Sequence, residues 1–408
     1  MSQEERESDV GRESREERRA PLSDNPLSLC GSIPEVVSGD EGSAEGRLLL
    51  EEGVAQYHAG NVSAALSLWE RALAADAELD QAWINIGYAR AFQGHHDGAV
   101  RSFRRALKLR GDRADLWFAL ACAEQACGEQ RAAVTSLRTA LDLSPGMGEA
   151  WNNLGNAYVE LARLDEAEAA YVEATRTESP GYEPWFNLGN VRADLGDTAG
   201  AVQAYQRALA IDPEAWRAWF NLGFVHASTG DLEAAHAAYR RAADYEVEGH
   251  EAWYNLGHTC LEMGRCEEAV LAYRRALEMR TDDHEVWNNL GWAHANAGRP
   301  EEAASCYRRA LELSPRYHPA WNNLGAVLEE TGDTAGAAAA YGHAVDLAPT
   351  QATYHLSRAA ALARLGDAPP AADHLARALA LDPTLSPLLA GFPELRSLQR
   401  RPSEEEQA

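Results

Sequence analysis

Positive charge is scarce in this sequence, and lysine is nearly absent from it. The 408 residues contain 37 Lys or Arg against 63 Asp or Glu, which gives a formal net charge of −26. Lys108 is the only lysine. A strongly acidic chain repels phosphate groups and attracts basic peptides. The composition therefore predicts no binding to nucleic acid and favours a basic protein or peptide as partner.

Long apolar runs and metal-binding cysteine patterns are missing as well. No stretch approaches the roughly 18 apolar residues of a membrane span, and the first 30 residues hold no apolar signal-peptide core. The six cysteines form neither a CxxC pair nor a Cys/His cluster with zinc spacing. The sequence therefore predicts a cytoplasmic protein with reduced thiols, no membrane insertion, no metal and no cofactor.

What the sequence has in abundance is a repeat of 34 residues. The motif WNNLG or a close variant begins at residues 83, 151, 185, 219, 253, 287 and 321. This frame covers 46–385 as ten repeats without an insertion or deletion, and position 4 is tryptophan in the eight inner repeats. Positions 20 and 27 are alanine in all ten repeats. Position 8 is glycine in eight repeats and alanine in the other two, at Ala121 and Ala359.

The spacing within a repeat predicts a helical hairpin. Positions 4, 7, 8 and 11 share one face of a first helix, and positions 20, 24, 27 and 28 share one face of a second. Position 15 is glycine in nine repeats, which suits a helix C-cap. One hairpin cannot bury its own apolar faces, so the hairpins are expected to stack. Four aspartates that follow the position-15 glycine are predicted N-caps: Asp197, Asp231, Asp333 and Asp367.

The two end repeats depart from this pattern. Some of their core positions carry residues unlike those of the inner repeats, which predicts capping repeats that face water. These residues are Leu49, Glu52 and Gln56 in repeat 1, and His355 and Arg358 in repeat 10. The predicted organisation is a disordered segment at 1–45, ten repeats at 46–385, a capping helix at 386–399 and a disordered tail at 400–408.

The recurring Trp, Leu-Gly, Gly, Ala, Tyr, Ala and Pro of each repeat resemble the consensus of the tetratricopeptide repeat (TPR) family, and the resemblance covers all ten repeats. It implies an all-α fold, a right-handed superhelical solenoid of ten 34-residue helical hairpins. In that family the first helices line a concave inner surface. There, TPR proteins hold extended peptide segments of their partners.

A column of asparagines marks the side of the first helices opposite the core. Positions 2, 6, 9 and 13 cluster on this side. It is called here the outer face of the first helix because it points away from the core of its own hairpin. An amide there can donate to and accept from a peptide backbone, and the column resembles the asparagine ladder in the TPR superhelix of O-linked N-acetylglucosamine transferases. The alternative is that the asparagines copy a consensus residue or bond to a neighbouring repeat. They are Asn85, Asn153, Asn187, Asn221, Asn255, Asn289 and Asn323.

Carboxylates and aromatic rings share the outer face with the asparagines. Together they favour a peptide that carries Arg or Lys, and the alternative is a merely solvated acidic face. Position 2 carries Glu149, Glu183, Glu251 and Glu285, and position 13 carries Glu160, Asp194, Glu262 and Glu330. Position 9 carries Tyr88, Phe224, His258 and Trp292. The predicted peptide-binding residues are the seven asparagines with Glu183, Glu251 and Glu285.

Two other columns are interpreted as structural. The position-4 tryptophans belong to the packing face, where each ring can bury apolar area. The histidines at position 1 of three successive repeats, His250, His284 and His318, are expected to lie roughly 10 Å apart because packed helices are that far apart. They cannot share one zinc ion, whose ligands lie about 2 Å from it.

Taken together, these patterns predict a non-catalytic scaffold or adaptor that binds an extended peptide segment in its concave groove. The alternative is a TPR regulatory subunit or substrate-recruiting partner of an enzyme such as a glycosyltransferase. Co-chaperone-type TPR domains clamp the C-terminal carboxylate of a partner with asparagines and lysines on their first helices. This sequence lacks those lysines, since its single lysine, Lys108, falls on a second helix. No catalytic triad or phosphate loop stands out from the repeat consensus, and self-association is left open.

Overall fold

The computed structural model describes residues 43–245, 249–391 and 393–395. Within these residues the secondary structure consists of twenty α-helices, α1 to α20, and one 3-10 helix at Pro383–Gly391, without a strand. Each 34-residue repeat contributes two helices, so odd numbers are first helices and even numbers are second helices. The predicted all-α array of consecutive helical hairpins is confirmed.

The bounds of the helices follow the 34-residue frame. The first helices are α1 Ala44–His58, α3 Asp80–Phe92, α5 Ala114–Ala126, α7 Gly148–Glu160, α9 Tyr182–Asp194, α11 Trp216–Ser228, α13 His250–Glu262, α15 His284–Asn296, α17 His318–Glu330 and α19 Ala352–Arg364. The second helices are α2 Val62–Ala75, α4 His96–Leu109, α6 Gln130–Leu143, α8 Leu164–Thr175, α10 Thr198–Ile211, α12 Leu232–Tyr245, α14 Cys266–Met279, α16 Pro300–Leu313, α18 Thr334–Leu347 and α20 Ala368–Leu381.

The chain divides into two compact units. The first extends to Glu214 and holds α1 to α10; the second begins at Ala215 and holds α11 to α20 with the 3-10 helix. Inside each unit the two helices of a hairpin pack together, and each second helix packs against the first helix of the next hairpin. None of the helices in the described residues has the length and apolar character that a membrane span requires.

A close contact inside most hairpins joins position 8 of the first helix to position 24 of the second helix. In eight repeats position 8 is glycine and position 24 is a buried aromatic ring. A Cβ placed on any of these glycines would lie less than 3.0 Å from that ring. Glycine therefore lets the ring sit directly against the backbone of the first helix.

The two repeats without this glycine change both partners. Position 8 is alanine at Ala121 and Ala359, and position 24 is leucine at Leu137 and Leu375. All four of these side chains are buried in the cores of their own compact units. A methyl group thus replaces the hydrogen only where a smaller, flexible side chain replaces the ring.

The turn between the two helices is built as predicted. All nine glycines at position 15 have positive φ angles, from 71° to 88°. In repeat 4 this position is Ala162, and it adopts a positive φ of 55° all the same. In this left-handed region the conformational energy of a residue with a Cβ is higher by about 1 kcal/mol or more. The packing of repeat 4 therefore holds its turn in a conformation that its own sequence disfavours.

Three of the four predicted aspartate caps make the expected hydrogen bond. Asp197 and Asp333 accept from the backbone N–H groups three residues later at 3.0 and 2.8 Å, and Asp231 does so at 3.2 Å. Asp367 precedes α20 without a side-chain capping bond. The residues two and three positions after it are Pro369 and Pro370, which have no N–H to donate.

The tryptophans at position 4 are half-buried at the edge of the core. The indole Nε1 of Trp151 donates to the carbonyl oxygen of Pro145 at 2.9 Å, and Trp321 donates to Pro315 at the same distance. Both of these rings therefore tie a first helix to the turn before it. The same bond, six residues back along the chain, is made by Trp83, Trp117 and Trp287.

The prediction that His355 faces water is wrong. His355 occupies the tryptophan position of repeat 10, is buried, and places its Nε2 3.1 Å from the carbonyl oxygen of Pro349, six residues earlier. It thus takes over the bond of the tryptophans. Leu49, at the same position in repeat 1, is also buried, whereas Glu52 is exposed.

The C-terminal end of repeat 10 is covered by apolar side chains that follow it. Leu385, Leu389 and Leu395 are buried in one cluster with residues of α19 and α20. The covering segment begins as the 3-10 helix, which contains Pro387 and so cannot form every α-helical hydrogen bond. At the other end α1 begins at Ala44, and the predictions for 1–42 and 396–408 fall outside the described residues.

We expect Gly257→Ala to lower the free energy of unfolding by about 1–3 kcal/mol, because the new methyl group would overpack against a buried ring. A Cβ there would lie 2.9 Å from Cε1 and Cζ of Tyr273. Urea-induced unfolding measures the loss. The double variant with Tyr273→Leu, which reproduces the natural alanine–leucine pairing, should recover most of it. Strictly additive losses in the double variant would contradict this packing.

Candidate functional site

Exposed carboxylates lie at both ends of several first helices, at position 2 near the start and at position 13 near the end of the outer face. The position-2 side chains Glu149, Glu183, Glu251 and Glu285 are all exposed, and so are the position-13 side chains Glu160, Asp194, Glu262 and Glu330. In each compact unit they lie on consecutive first helices. The helical spacing therefore places solvent-accessible negative charge on the outer face of both units.

The asparagines between these carboxylates reach toward the preceding repeat. Asn187 Nδ2 donates to Asn152 Oδ1 at 3.0 Å, and Asn323 Nδ2 donates to Asn288 Oδ1 at the same distance. In both pairs the acceptor is position 5 of the preceding first helix. The amide donors of these asparagines thus bridge neighbouring hairpins, which is the alternative that the sequence left open.

Two further asparagines make the same bridge to other atoms. Asn289 Nδ2 donates to the hydroxyl of Tyr254, at position 5 of the preceding repeat, at 3.0 Å. Asn153 Nδ2 lies 3.5 Å from the sulfur of Cys122, at position 9 of the preceding repeat. The bridging role therefore extends to four of the seven asparagines of the column.

The remaining three asparagines differ among themselves. Asn255 Nδ2 donates to the carbonyl oxygen of Glu251 within its own helix at 3.0 Å. Asn85 is buried, and its Nδ2 has no hydrogen-bond partner among the described residues. Asn221 is also buried. Three of the seven asparagines, Asn85, Asn153 and Asn221, are therefore buried, and the other four are half-buried.

Position 9 connects the outer face to the hairpin core. The hydroxyl of Tyr171 donates to Asn156 Oδ1 at 2.6 Å, and the hydroxyl of Tyr205 donates to Asn190 Oδ1 at 2.8 Å. Each pair joins position 24 to position 9 of one repeat. Burial raises the pKa of Tyr171 well above its usual range, so this hydroxyl stays protonated and donates.

The histidine column does not form one site. His250 Nε2 lies 3.3 Å from a carboxylate oxygen of Asp283, and His318 Nδ1 lies 2.9 Å from the hydroxyl of Tyr354. The ring of His284 packs edge-on against Tyr317. Each histidine therefore has its own partner.

Spacing alone missed one cluster of possible ligands. His236, Cys260 and Glu268 come from three helices of two neighbouring repeats, and their ligand atoms lie within 4.8 Å of one another. A search for short sequence motifs cannot find it, because no two of the three share a helix. A comparison of equivalent positions in neighbouring repeats could have found it, since Cys260 is at position 11 of repeat 7 and His236 is at position 21 of repeat 6.

Two pockets lie on the side of the second helices. A pocket of about 490 Å³ is lined by Trp83 and by basic side chains that include Arg105 and Lys108. A pocket of about 560 Å³ is lined by residues that include His294 and Cys306. Burial raises the pKa of the Cys306 thiol to about 11 and lowers the pKa of His294. A thiol of this kind is protonated at neutral pH and is a poor nucleophile.

Comparisons with known sequences point to one repeat family. A family model described as tetratricopeptide repeat matches residues 118–183 and, in overlapping segments, 226–386. Related models described as TPR repeat and tetratricopeptide repeat match residues 189–230 and 80–113. No curated protein matches the sequence.

The solved structures that match this chain include two that are described as TPR proteins. The C-terminal part of a TPR repeat-containing protein from Cytophaga hutchinsonii is 16% identical with a TM-score of 0.51, covering 58% of this chain and 97% of that chain. YrrB, described as a TPR protein with an unusual peptide-binding site, is 23% identical with a TM-score of 0.41, covering 46% and 96%. The Cut9–Hcn1 hetero-tetramer of APC/C is 16% identical with a TM-score of 0.42, covering 91% and 79%.

We expect Asn323→Ala to lower the free energy of unfolding by about 0.5–1.5 kcal/mol relative to Asn255→Ala, as measured by urea-induced unfolding. The first change removes a bond between repeats and leaves the buried Asn288 Oδ1 without that donor. The matched control removes a bond within one helix, and the better helix propensity of alanine offsets part of its cost. Equal stabilities of the two variants would argue against the bridging role.

Proposed function

The chain belongs to the tetratricopeptide repeat family, and from this premise we propose that it is a non-catalytic scaffold that binds an extended, basic peptide segment of a partner protein. Membership of this family supports a protein-interaction scaffold, because TPR arrays are typically interaction surfaces without catalytic groups. The peptide would lie along the outer face of consecutive first helices, within one compact unit.

The number of exposed hydrogen-bond acceptors on the outer face carries this proposal. The exposed carboxylates at positions 2 and 13 can only accept when ionised. The amide nitrogens of Asn187 and Asn323 donate to the preceding repeat, which leaves their Oδ1 atoms as acceptors. An acceptor-rich surface suits guanidinium and ammonium groups, which only donate.

In the second compact unit the best-supported part of this surface spans repeats 7 and 8. Glu251 and Glu285 are exposed at equivalent positions of α13 and α15. Between them, Asn289 is held by Tyr254, and the half-buried ring of Trp292 lies at position 9 of α15. Carboxylates beside an indole ring can hold an arginine by ion pairing and by cation–π contact.

The first compact unit offers a second surface of the same kind. Glu149 and Glu183 are exposed on α7 and α9, and Asn187 bridges these two helices through Asn152. The likeness of the asparagine column to the ladder of the glycosyltransferases remains part of this proposal. In it, the asparagines contribute carbonyl acceptors as well as bridges between repeats.

The proposal is tested with a short Gly/Ser peptide carrying alternating arginines and with its charge-reversed glutamate version. The arginine peptide should bind more tightly, and its association rate should fall as salt is added. In Glu251→Gln/Glu285→Gln the affinity should drop about 5–30-fold, since each exposed carboxylate contributes about 0.5–1 kcal/mol. Isothermal titration calorimetry measures both affinities.

Glu278→Gln/Glu312→Gln is the matched control. It removes the same charge from equivalent positions of α14 and α16, where each exposed carboxylate pairs with an arginine of its own helix. The control should bind the arginine peptide like the parent protein. Preference for the glutamate peptide, or equal weakening in both double variants, would overturn the proposed surface.

A further inference from the structure

Three side chains with metal-ligating atoms meet between repeats 6 and 7. His236 lies on α12, Cys260 on α13 and Glu268 on α14. Their ligand atoms lie within 4.8 Å of one another, and His236 Nε2 lies 3.2 Å from Glu268 Oε2. Cys260 is 1% exposed, whereas the side chain of Glu268 is 50% exposed. The thiol thus forms the base of the cluster, and the carboxylate lies at its solvent side.

The repeat frame explains why these residues face one another. Position 11 of one first helix faces position 21 of the preceding second helix. Between repeats 4 and 5 these positions are Arg192 and Glu168, which form an ion pair of 2.8 Å. Between repeats 6 and 7 the same positions are Cys260 and His236, and Glu268 adds a carboxylate. Three ligand types of zinc therefore stand where another interface has an ion pair.

We propose that His236, Cys260 and Glu268 bind one zinc ion. In a tetrahedral site with metal–ligand bonds of about 2.0–2.3 Å, the ligand atoms lie about 3.5 Å apart. The cluster meets this spacing with small side-chain adjustments, because its atoms already lie within 4.8 Å of one another. A thiolate and a carboxylate together neutralise the two charges of the ion.

The donor set also selects the metal. Thiolate and imidazole are ligands of Zn²⁺ and are poor ligands of Mg²⁺ and Ca²⁺, which prefer oxygen. Three protein ligands leave the fourth tetrahedral position to water on the side of the exposed Glu268. Because the ligands come from two repeats, the ion links the second helix of repeat 6 to both helices of repeat 7. Zinc should therefore raise the thermal stability of the protein.

The test uses the full, untagged chain after removal of metals, titrated with Co²⁺ as a spectroscopic probe and then with Zn²⁺. One equivalent of Co²⁺ should produce the near-ultraviolet charge-transfer band of a cobalt–thiolate bond, and Zn²⁺ should abolish the band. Cys260→Ser should lose it. Cys306→Ser should keep it, because Cys306 is also a buried thiol but lies outside the cluster.

His236→Gln and Glu268→Gln keep the thiol and change side chains that reach solvent, so they decide the question even where Cys260→Ser folds poorly. Each should weaken Co²⁺ binding roughly tenfold or more. The proposal is overturned by the absence of a thiolate band in the parent protein, by a band that survives in folded Cys260→Ser, or by unchanged affinity in both glutamine variants.

Discussion

The contact between a glycine at position 8 and an aromatic ring at position 24 sets how closely the two helices of most hairpins approach. With no Cβ at Gly257, the ring of Tyr273 lies against the helix backbone and is fully buried. Where alanine replaces the glycine, as at Ala121, the ring gives way to Leu137. The pair keeps the two helices at a similar separation in these hairpins. Hairpins of similar width can then pack against one another in the same way along the array.

This packing leaves the opposite side of each first helix to polar residues. Asn187 and Asn323 use their amide donors to join neighbouring repeats, and the exposed carboxylates on either side have no role in the hairpin core. Each first helix thus has one side that packs in the hairpin core and an opposite side with groups available for recognition. The acceptors that remain on the outer face are the physical basis of the proposed preference for a basic peptide.

The sequence predicted most of the fold because the 34-residue period fixes helices, turns and core positions together. It could not predict where the asparagine donors point, since the bond from Asn323 to Asn288 depends on the separation of two first helices. His355 was expected in water, but it is buried, where it bonds to the carbonyl oxygen of Pro349 and packs against the ring of His374 on α20, a contact that sequence spacing did not reveal. The cluster at Cys260 required three helices to be in place before its residues could be seen together.

The most direct test of this packing constraint is the reverse exchange in repeat 3, measured as free energies of unfolding in urea. Ala121→Gly should destabilise by about 1 kcal/mol through lost propensity and packing, and Leu137→Tyr should destabilise through overpacking against the methyl group. The double variant restores the glycine–tyrosine pair of other repeats. It should be more stable than the sum of the single changes predicts, by about 1 kcal/mol or more. Additive losses would show that positions 8 and 24 do not act as one unit.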